Sequence, residues 1–141
     1  MNPFTTQCHC GSVRARFKLE NSVVWKCDCS DCYMRQNHHI ILPRDCLEIL
    51  SDENTTLYQW GTMTAVRKFC RTCGVLPWYY PRSNPDGVGV NIYCVDWTQG
   101  GTAEPPKLDY REFDGRNYEQ SMAAMNEGRT GIRISDLSKR S

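Results

Sequence analysis

The stretch Phe69-Cys70-Arg71-Thr72-Cys73-Gly74 decides the fold, because it joins two cysteines three residues apart to a glycine that follows directly. A Cys-x-x-Cys turn presents two sulfur atoms to one side, and the glycine permits a backbone conformation that directs amides back toward them. Two further clusters precede it, Cys8-His9-Cys10 and Cys27-Asp28-Cys29-Ser30-Asp31-Cys32. Seven of the nine cysteines fall in these clusters, which indicates a metal-binding protein.

A disulfide framework does not fit these cysteines. Their number is odd, and nine in 141 residues is a lower density than that of small disulfide-rich domains. The segment 1–7 has neither the basic start nor the apolar stretch of a secretory signal. We therefore expect a reducing compartment, the cytoplasm, where thiols stay free or bind metal. A thioredoxin-like role for Cys70 and Cys73 is disfavoured, because the flanking residues predict strands.

The overall composition is that of one globular domain. Hydrophobic residues make up 40% and charged residues 23%, which excludes wholesale disorder. The net charge of +1 gives no reason to expect nucleic acid or an anionic membrane as a partner. No apolar run approaches the roughly 20 residues of a membrane helix. We predict a single zinc domain over residues 1–127 and a polar C-terminal tail over residues 128–141.

Short apolar or alternating segments between the clusters predict a mainly β fold. The strongest strand signal covers residues 88–95. Weaker strand signals cover 13–19, 23–25, 40–42, 46–50, 57–60, 65–69 and 76–81. The last two are expected to form a hairpin around the Cys70–Cys73 turn. A modest helical pattern over 117–127 predicts a short C-terminal helix, and no helix is predicted before residue 116.

The order of these motifs resembles the glutathione-dependent formaldehyde-activating enzyme family, whose domain is shared with centromere protein V. The resemblance covers residues 7–118. It is carried by Cys-His-Cys-Gly-x-Val at 8–13, Cys-x-Cys-Ser-x-Cys at 27–32, Phe-Cys-x-x-Cys-Gly at 69–74, Val-Asn-Ile-x-Cys-x-Asp at 90–96 and Phe-Asp-Gly-Arg at 113–116. It implies an Mss4-like fold of short antiparallel strands stapled by two zinc ions.

The resemblance divides the clustered cysteines into two zinc sites. A closed structural site would use Cys8, Cys10, Cys70 and Cys73. A second site with three protein ligands would use Cys27, Cys29 and Cys32. Two pairs distant in sequence can complete a tetrahedron and staple the N-terminal segment to the central hairpin, whereas three thiolates from one loop leave a position open, as in catalytic sites. The alternative is that Asp28, Asp31, a histidine or water closes the second site and nothing reacts there.

The implied activity is that of a carbon–sulfur lyase or synthase acting on S-(hydroxymethyl)glutathione, the adduct of glutathione and formaldehyde. A free thiol is mostly protonated near neutral pH, whereas coordination to zinc deprotonates it. The open position at Cys27, Cys29 and Cys32 would therefore accept the sulfur of a small thiol, glutathione. Either His38 or His39 could protonate the resulting alkoxide or become a fourth ligand, and His38 is our candidate catalytic residue.

The remaining notable side chains are expected to have structural roles. Four aromatic residues are expected to pack in the core or in the hairpin: Trp60, Trp78, Tyr79 and Tyr80. Cys94 is expected to be a buried thiol beside the second zinc site, and Cys46 an inert core residue.

Two other interpretations of the function stay open. One is a non-catalytic zinc-binding interaction module of the centromere protein V type, which leaves a nuclear location open. The other is a zinc-dependent thiol enzyme with a different substrate. The chain begins almost at the first ligand, without the long basic extension expected of a centromere-targeted protein, and this favours the enzyme.

Overall fold

The structure is a computed structural model that describes residues 4–100 and 106–126. Within these residues the chain forms eleven short β-strands and two α-helices, joined by turns that include 3-10 segments. The strands are β1 (Phe4–Gln7), β2 (Arg14–Phe17), β3 (Val23–Cys27), β4 (His38–Pro43), β5 (Leu47–Ser51), β6 (Thr55–Tyr58), β7 (Arg67–Cys70), β8 (Trp78–Tyr79), β9 (Gly87–Asn91), β10 (Val95–Asp96) and β11 (Asp109–Phe113). The helices are α1 (Ser30–Arg35) and α2 (Tyr118–Asn126). The predicted tail, 128–141, lies outside the described residues.

The strands form three sheets. One has four strands in the order β10-β1-β2-β5, the second has five in the order β11-β3-β4-β9-β8, and β6 and β7 form a two-stranded ribbon. Among the described strands, β11 is parallel to its neighbour β3, and the other ladders are antiparallel. The mainly β class and the short C-terminal helix predicted from the sequence are therefore confirmed.

Both faces of the five-stranded sheet are covered, because successive side chains of a strand point to opposite faces. In β4, Ile40 and Leu42 belong to a first core that also contains Phe17 of the four-stranded sheet. Ile41 belongs to a second core that contains Met125 of α2. Burying one such side chain contributes about 1.5–3 kcal/mol. The central strands are therefore continuous apolar runs, typical of strands buried on both sides.

Three elements differ from the sequence predictions. The hairpin around the Cys70–Cys73 turn is reduced to one bridge between Val66 and Tyr80, because β7 forms its ladder with β6. The predicted strand 88–95 ends at Asn91, whose side chain accepts a hydrogen bond from the Tyr93 amide and starts a 3-10 turn. The unpredicted α1 has only six residues, too few to show a helical period.

No helix among residues 4–100 and 106–126 has the length and apolar character needed to cross a membrane.

Candidate metal centres and catalytic pocket

The first cysteine cluster joins the turn between β1 and β2 to the turn that follows β7. Its members are Cys8, Cys10, Cys70 and Cys73, whose four Sγ atoms all lie within 4.8 Å of one another. Gly11 and Gly74 follow the two pairs with φ of 84° and 78°. Glycine adopts this left-handed conformation without the steric cost that other residues meet, so each turn can reverse directly after its cysteines.

The sulfur spacing of this cluster fits a tetrahedral zinc site. Thiolates bound to zinc at about 2.3 Å lie about 3.8 Å apart. The observed separations are 3.7 Å from Cys8 Sγ to Cys10 Sγ and 3.6 Å from Cys10 Sγ to Cys70 Sγ. The Ser12 hydroxyl, 3.3 Å from Cys70 Sγ, and the Cys73 amide, at 3.4 Å, lower the pKa of the Cys70 thiol to about 5. These donors favour the thiolate that a metal requires.

The second cluster, Cys27, Cys29 and Cys32, spans the end of β3 and the first turn of α1. Cys29 is the N-terminal cap of α1, and its Sγ accepts a hydrogen bond from the Cys32 amide at 3.4 Å. The helical turn thereby brings residue 32 back beside residue 29. The three Sγ atoms lie within 4.8 Å of one another, and within the described residues no fourth Cys, His, Asp or Glu joins them.

Neither neighbouring carboxylate is turned toward the sulfurs as a fourth ligand. Asp28 accepts hydrogen bonds from the amides of Gly115 and Arg116, at 2.8 and 3.3 Å. Asp31 forms ion pairs with Arg35 at 2.6 Å and with Arg67 at 3.2 Å. These contacts hold the loop in place through the protein itself.

The thiols of the second cluster share hydrogen bonds, and this affects their pKa values unequally. Hydrogen bonds from the neighbouring thiols lower the pKa of Cys29 to about 2 and raise the pKa of Cys27 far above its ordinary value. The pKa of Cys32 rises to about 11, because its hydrogen bond with Cys27, which lowers it, is outweighed by the hydrogen bond with Cys29 and by burial. The Arg67 guanidinium lies 3.8 Å from Cys32 Sγ and adds positive charge beside the sulfurs. A divalent ion can replace the shared protons, and three converging sulfurs suit zinc.

Gly115, in the Phe-Asp-Gly-Arg segment, lies directly against this cluster. A Cβ atom at this position would lie 2.4 Å from Cys27 Sγ and 2.8 Å from Cys29 Cβ. The contact is held by Asp28, whose carboxylate accepts hydrogen bonds from the amides of Gly115 and Arg116. Because residue 115 is a glycine, no side chain occupies the space that the sulfur atoms of the cluster need.

In protein prepared with zinc, Gly115→Ala is expected to prevent metal binding at the second cluster and to leave metal binding at the first unchanged. The added methyl group cannot coexist with the sulfur of Cys27, so bound zinc should fall from about two to about one per chain, as measured by elemental analysis. Gly61→Ala is the control, since its Cβ would meet no atom within 4 Å. Its φ of 62° makes the change cost about 1 kcal/mol without touching either cluster. Two zinc ions per chain in Gly115→Ala would contradict the prediction.

The three cysteines of the second cluster line a cavity of about 270 Å³. Trp25, Ile41 and Phe113 of the five-stranded sheet form one wall, and Trp60 and Ala65 before β7 contribute to another. The cysteines of the first cluster do not line this cavity. A molecule bound in this cavity would therefore lie beside the sulfur atoms of the second cluster and not beside those of the first.

Three polar side chains of the cavity form a connected group. The Tyr79 hydroxyl lies 3.1 Å from Nε2 of His39, and the Arg67 guanidinium lies 4.7 Å from the centre of the Tyr79 ring. Nδ1 of His39 lies 3.4 Å from the Asn37 carbonyl oxygen, which can only accept. Nδ1 therefore carries the proton, and Nε2 accepts a hydrogen bond from the Tyr79 hydroxyl.

Burial keeps this histidine and this tyrosine neutral. It lowers the pKa of His39 to about 4 and raises the pKa of Tyr79 well above its ordinary value. The pair can consequently exchange hydrogen bonds at neutral pH without carrying charge.

His38, the candidate chosen from the sequence, does not line the cavity. Its Nδ1 lies 2.9 Å from the hydroxyl of the exposed Tyr93. The reason is the two-residue period of β4, in which His39 shares the cavity face with Ile41 and His38 does not. The sequence carries no signal for this choice, because residues 40–42 are all apolar and do not distinguish the two faces of the strand.

Other expected positions are partly corrected. Trp78 packs in the first core as expected, but Tyr79 and Trp60 line the cavity. Cys46 is a buried core residue. Cys94 lies near the first cluster rather than the second, beside Cys8 in a surface groove, and burial raises its pKa to about 12.

The fold and the two clusters define a small β protein with two candidate metal centres, one of which faces a cavity. The model of the family "Glutathione-dependent formaldehyde-activating enzyme" matches residues 3–111, and the chain belongs to this family. This confirms the resemblance drawn from the order of the motifs. A crystal structure of a Rhodobacter sphaeroides protein is similar, with 33% sequence identity and a TM-score of 0.64, over 76% of this chain and 99% of that one.

Proposed function

We propose that this protein is a zinc-dependent carbon–sulfur lyase or synthase that interconverts S-(hydroxymethyl)glutathione with glutathione and formaldehyde. The observation that carries the proposal is the three-cysteine cluster, which lines a cavity and has no fourth side-chain ligand among the described residues. The reactive site would use Cys27, Cys29 and Cys32. The structural zinc would use Cys8, Cys10, Cys70 and Cys73. A reduced thiol substrate fits a cytoplasmic enzyme.

A zinc ion held by Cys27, Cys29 and Cys32 would supply a free position that binds the substrate thiol as its thiolate. The protein has two further tasks. It must hold the sulfur near the carbonyl carbon, and it must return the proton of the thiol to the oxygen that becomes a hydroxyl group.

The Tyr79 hydroxyl is the proposed donor to that oxygen. It lines the cavity, burial keeps it protonated, and its proton can turn from His39 Nε2 toward a substrate oxygen. His39 positions the hydroxyl. Arg67, beside Cys32 and paired with Asp31, balances negative charge at the sulfurs without adding a free cation.

Substituting Tyr79→Phe is expected to slow adduct formation about 100-fold, because the developing oxyanion loses its donor. Zinc content should not change, since the hydroxyl is not a ligand. The rate is measured by NMR exchange spectroscopy on glutathione and formaldehyde with zinc-loaded protein. His38→Gln is the matched control and should keep the full rate, because His38 lies outside the cavity. Equal rates for wild type and Tyr79→Phe would remove Tyr79 from the mechanism.

The proposal as a whole is tested with the wild-type protein. Acceleration of adduct equilibration by zinc-loaded protein supports it. No acceleration, together with no binding of glutathione in calorimetry, would reject it and favour the non-catalytic zinc module.

A further inference from the structure

We infer that the cavity accepts a ring-sized apolar substituent of the carbonyl partner, so that the preferred substrate is the thiol adduct of an aromatic or branched aliphatic aldehyde. The inference rests on the proposed function and deepens it, because it concerns the same cavity. The reaction is again the addition of a thiol to a carbonyl group. The thiol sulfur forms a bond to the aldehyde carbon, the C=O π bond breaks, and the proton of the thiol ends on the oxygen. Nothing is oxidised or reduced.

The size of the cavity is the first argument. Formaldehyde has two heavy atoms, and a water molecule in the liquid takes up about 30 Å³. The cavity measures about 270 Å³. An apolar cavity of about 150 Å³ in a protein is already large enough to hold benzene. Formaldehyde would therefore occupy little of this space, whereas a phenyl or branched alkyl group would occupy about half of it and leave room for the substrate sulfur.

The chemistry of the walls is the second argument. Aromatic rings line the cavity. Trp60 lies next to the β6–β7 ribbon, Trp25 and Phe113 belong to the five-stranded sheet, and Tyr118 belongs to α2. Phe113 packs edge-to-face on Trp25 with ring centroids 6.3 Å apart, and on Tyr118 at 6.0 Å. Such rings favour another aromatic or aliphatic group, which gains by leaving water and meets ring faces and edges.

The charged side chains of the cavity are the third argument. Of the described residues that line it, only Arg67 and Arg82 carry a permanent charge, and none is a carboxylate or a lysine. Arg67 is paired with Asp31, and Arg82 is paired with Glu119 and stacks on a tyrosine ring. The walls therefore offer no unpaired cation to the carboxylates of a peptide thiol. These walls suit the apolar part of the adduct better than its charged part.

Binding of two stable thioethers tests the inference without turnover. S-Benzylglutathione and S-methylglutathione have the same peptide, so a difference in affinity reports on the substituent. With zinc-loaded protein in calorimetry, we expect the benzyl compound to bind at least about tenfold more tightly. Trp25 and Trp60 also line the cavity, so tryptophan fluorescence should change more with the benzyl compound. Equal affinities would overturn the inference.

Two variants, each with one alanine replaced by phenylalanine, show where in the protein the preference for the benzyl compound arises. Ala65 lines the cavity, and Ala65→Phe is expected to fill the space and abolish the tenfold difference. Ala123→Phe, at an exposed position of α2 outside the cavity, should retain it. A preference that survives in Ala65→Phe, with folding confirmed by circular dichroism, would place the benzyl group elsewhere and overturn the inference.

Rates with graded aldehydes separate this inference from the proposed function. With glutathione, we expect larger acceleration for benzaldehyde and isobutyraldehyde than for formaldehyde, relative to each uncatalysed reaction. Acceleration with formaldehyde alone would overturn the inference and leave the proposed function in place. No acceleration with any aldehyde would reject the proposed function, while the thioether affinities would still decide whether the cavity prefers the apolar group.

Discussion

Cys70→Ser is expected to leave the protein unfolded at 25 °C. The first cluster joins Cys8 and Cys10 to Cys70 and Cys73 across about 60 residues, so a metal bound there would hold the β1–β2 turn to the end of β7. Zinc binding at structural sites contributes about 10–16 kcal/mol of apparent folding free energy. A domain of this kind has a net stability of only about 5–15 kcal/mol. The contribution of the metal is thus comparable to the whole net stability, and we expect the loss of one thiolate to remove most of it.

The measurement is near-UV circular dichroism together with elemental analysis of zinc. We expect Cys70→Ser to lose the aromatic signal and the cooperative unfolding transition. Cys46→Ala is the matched control, because Cys46 is buried in the first core but belongs to neither cluster. It should cost about 1 kcal/mol and keep about two zinc ions per chain. A cooperative transition of Cys70→Ser at the wild-type midpoint would show that the first cluster does not staple the fold.

Cys29→Ser is expected to abolish the proposed activity and preserve the fold. The substitution removes one of three thiolates, so the second cluster loses its hold on zinc and the adduct rate should fall to the uncatalysed level. Serine is itself a favoured N-terminal cap, so α1 keeps a hydrogen-bond acceptor at its start. The loop is also anchored without metal, by Asp28 on Gly115 and by Asp31 on two arginines.

Thermal unfolding and exchange kinetics on the same preparation check this prediction. The midpoint should fall by no more than about 4 °C, which corresponds to about 1 kcal/mol in a domain of this size. Cys94→Ser is the control, because Cys94 lies near the first cluster and belongs to neither group of ligands. It should keep the wild-type rate and zinc content. A wild-type rate in Cys29→Ser would separate the reaction from the second cluster.

Opposite results in the two cysteine experiments follow from where the ligands lie along the chain. The first cluster unites segments that are distant in sequence, and a metal bound there would supply a long-range cross-link. The second takes its sulfurs from six consecutive positions, so a metal bound there would close only a short loop. Closing a long loop restricts the unfolded chain more than closing a short one.

The cysteine clusters and the central strands could be predicted from the sequence because their signals are local. Ligands two or three residues apart are placed by one turn, and the apolar run of β4 is visible without its neighbours. The helix α1 was not predicted, since its N-terminal cap is a cysteine and it spans only six residues. The predicted hairpin around the Cys70–Cys73 turn is longer than the observed one. Whether β7 pairs with β6 or with β8 depends on which distant strand packs against it, and the local sequence does not show this.

The spacing of the cysteines by itself determined three local groups of thiols, and the order of the motifs determined the family, whose resemblance implied the division into two sites. Only the tertiary structure decided which histidine reaches the cavity and that Tyr79, Arg67 and Gly115 accompany it. The physical reason is the sheet. The register between strands brings His39 opposite Trp25, and the pleat turns every second side chain to the cavity face. Those alignments are set by packing of the whole domain, and no short segment of the chain contains them.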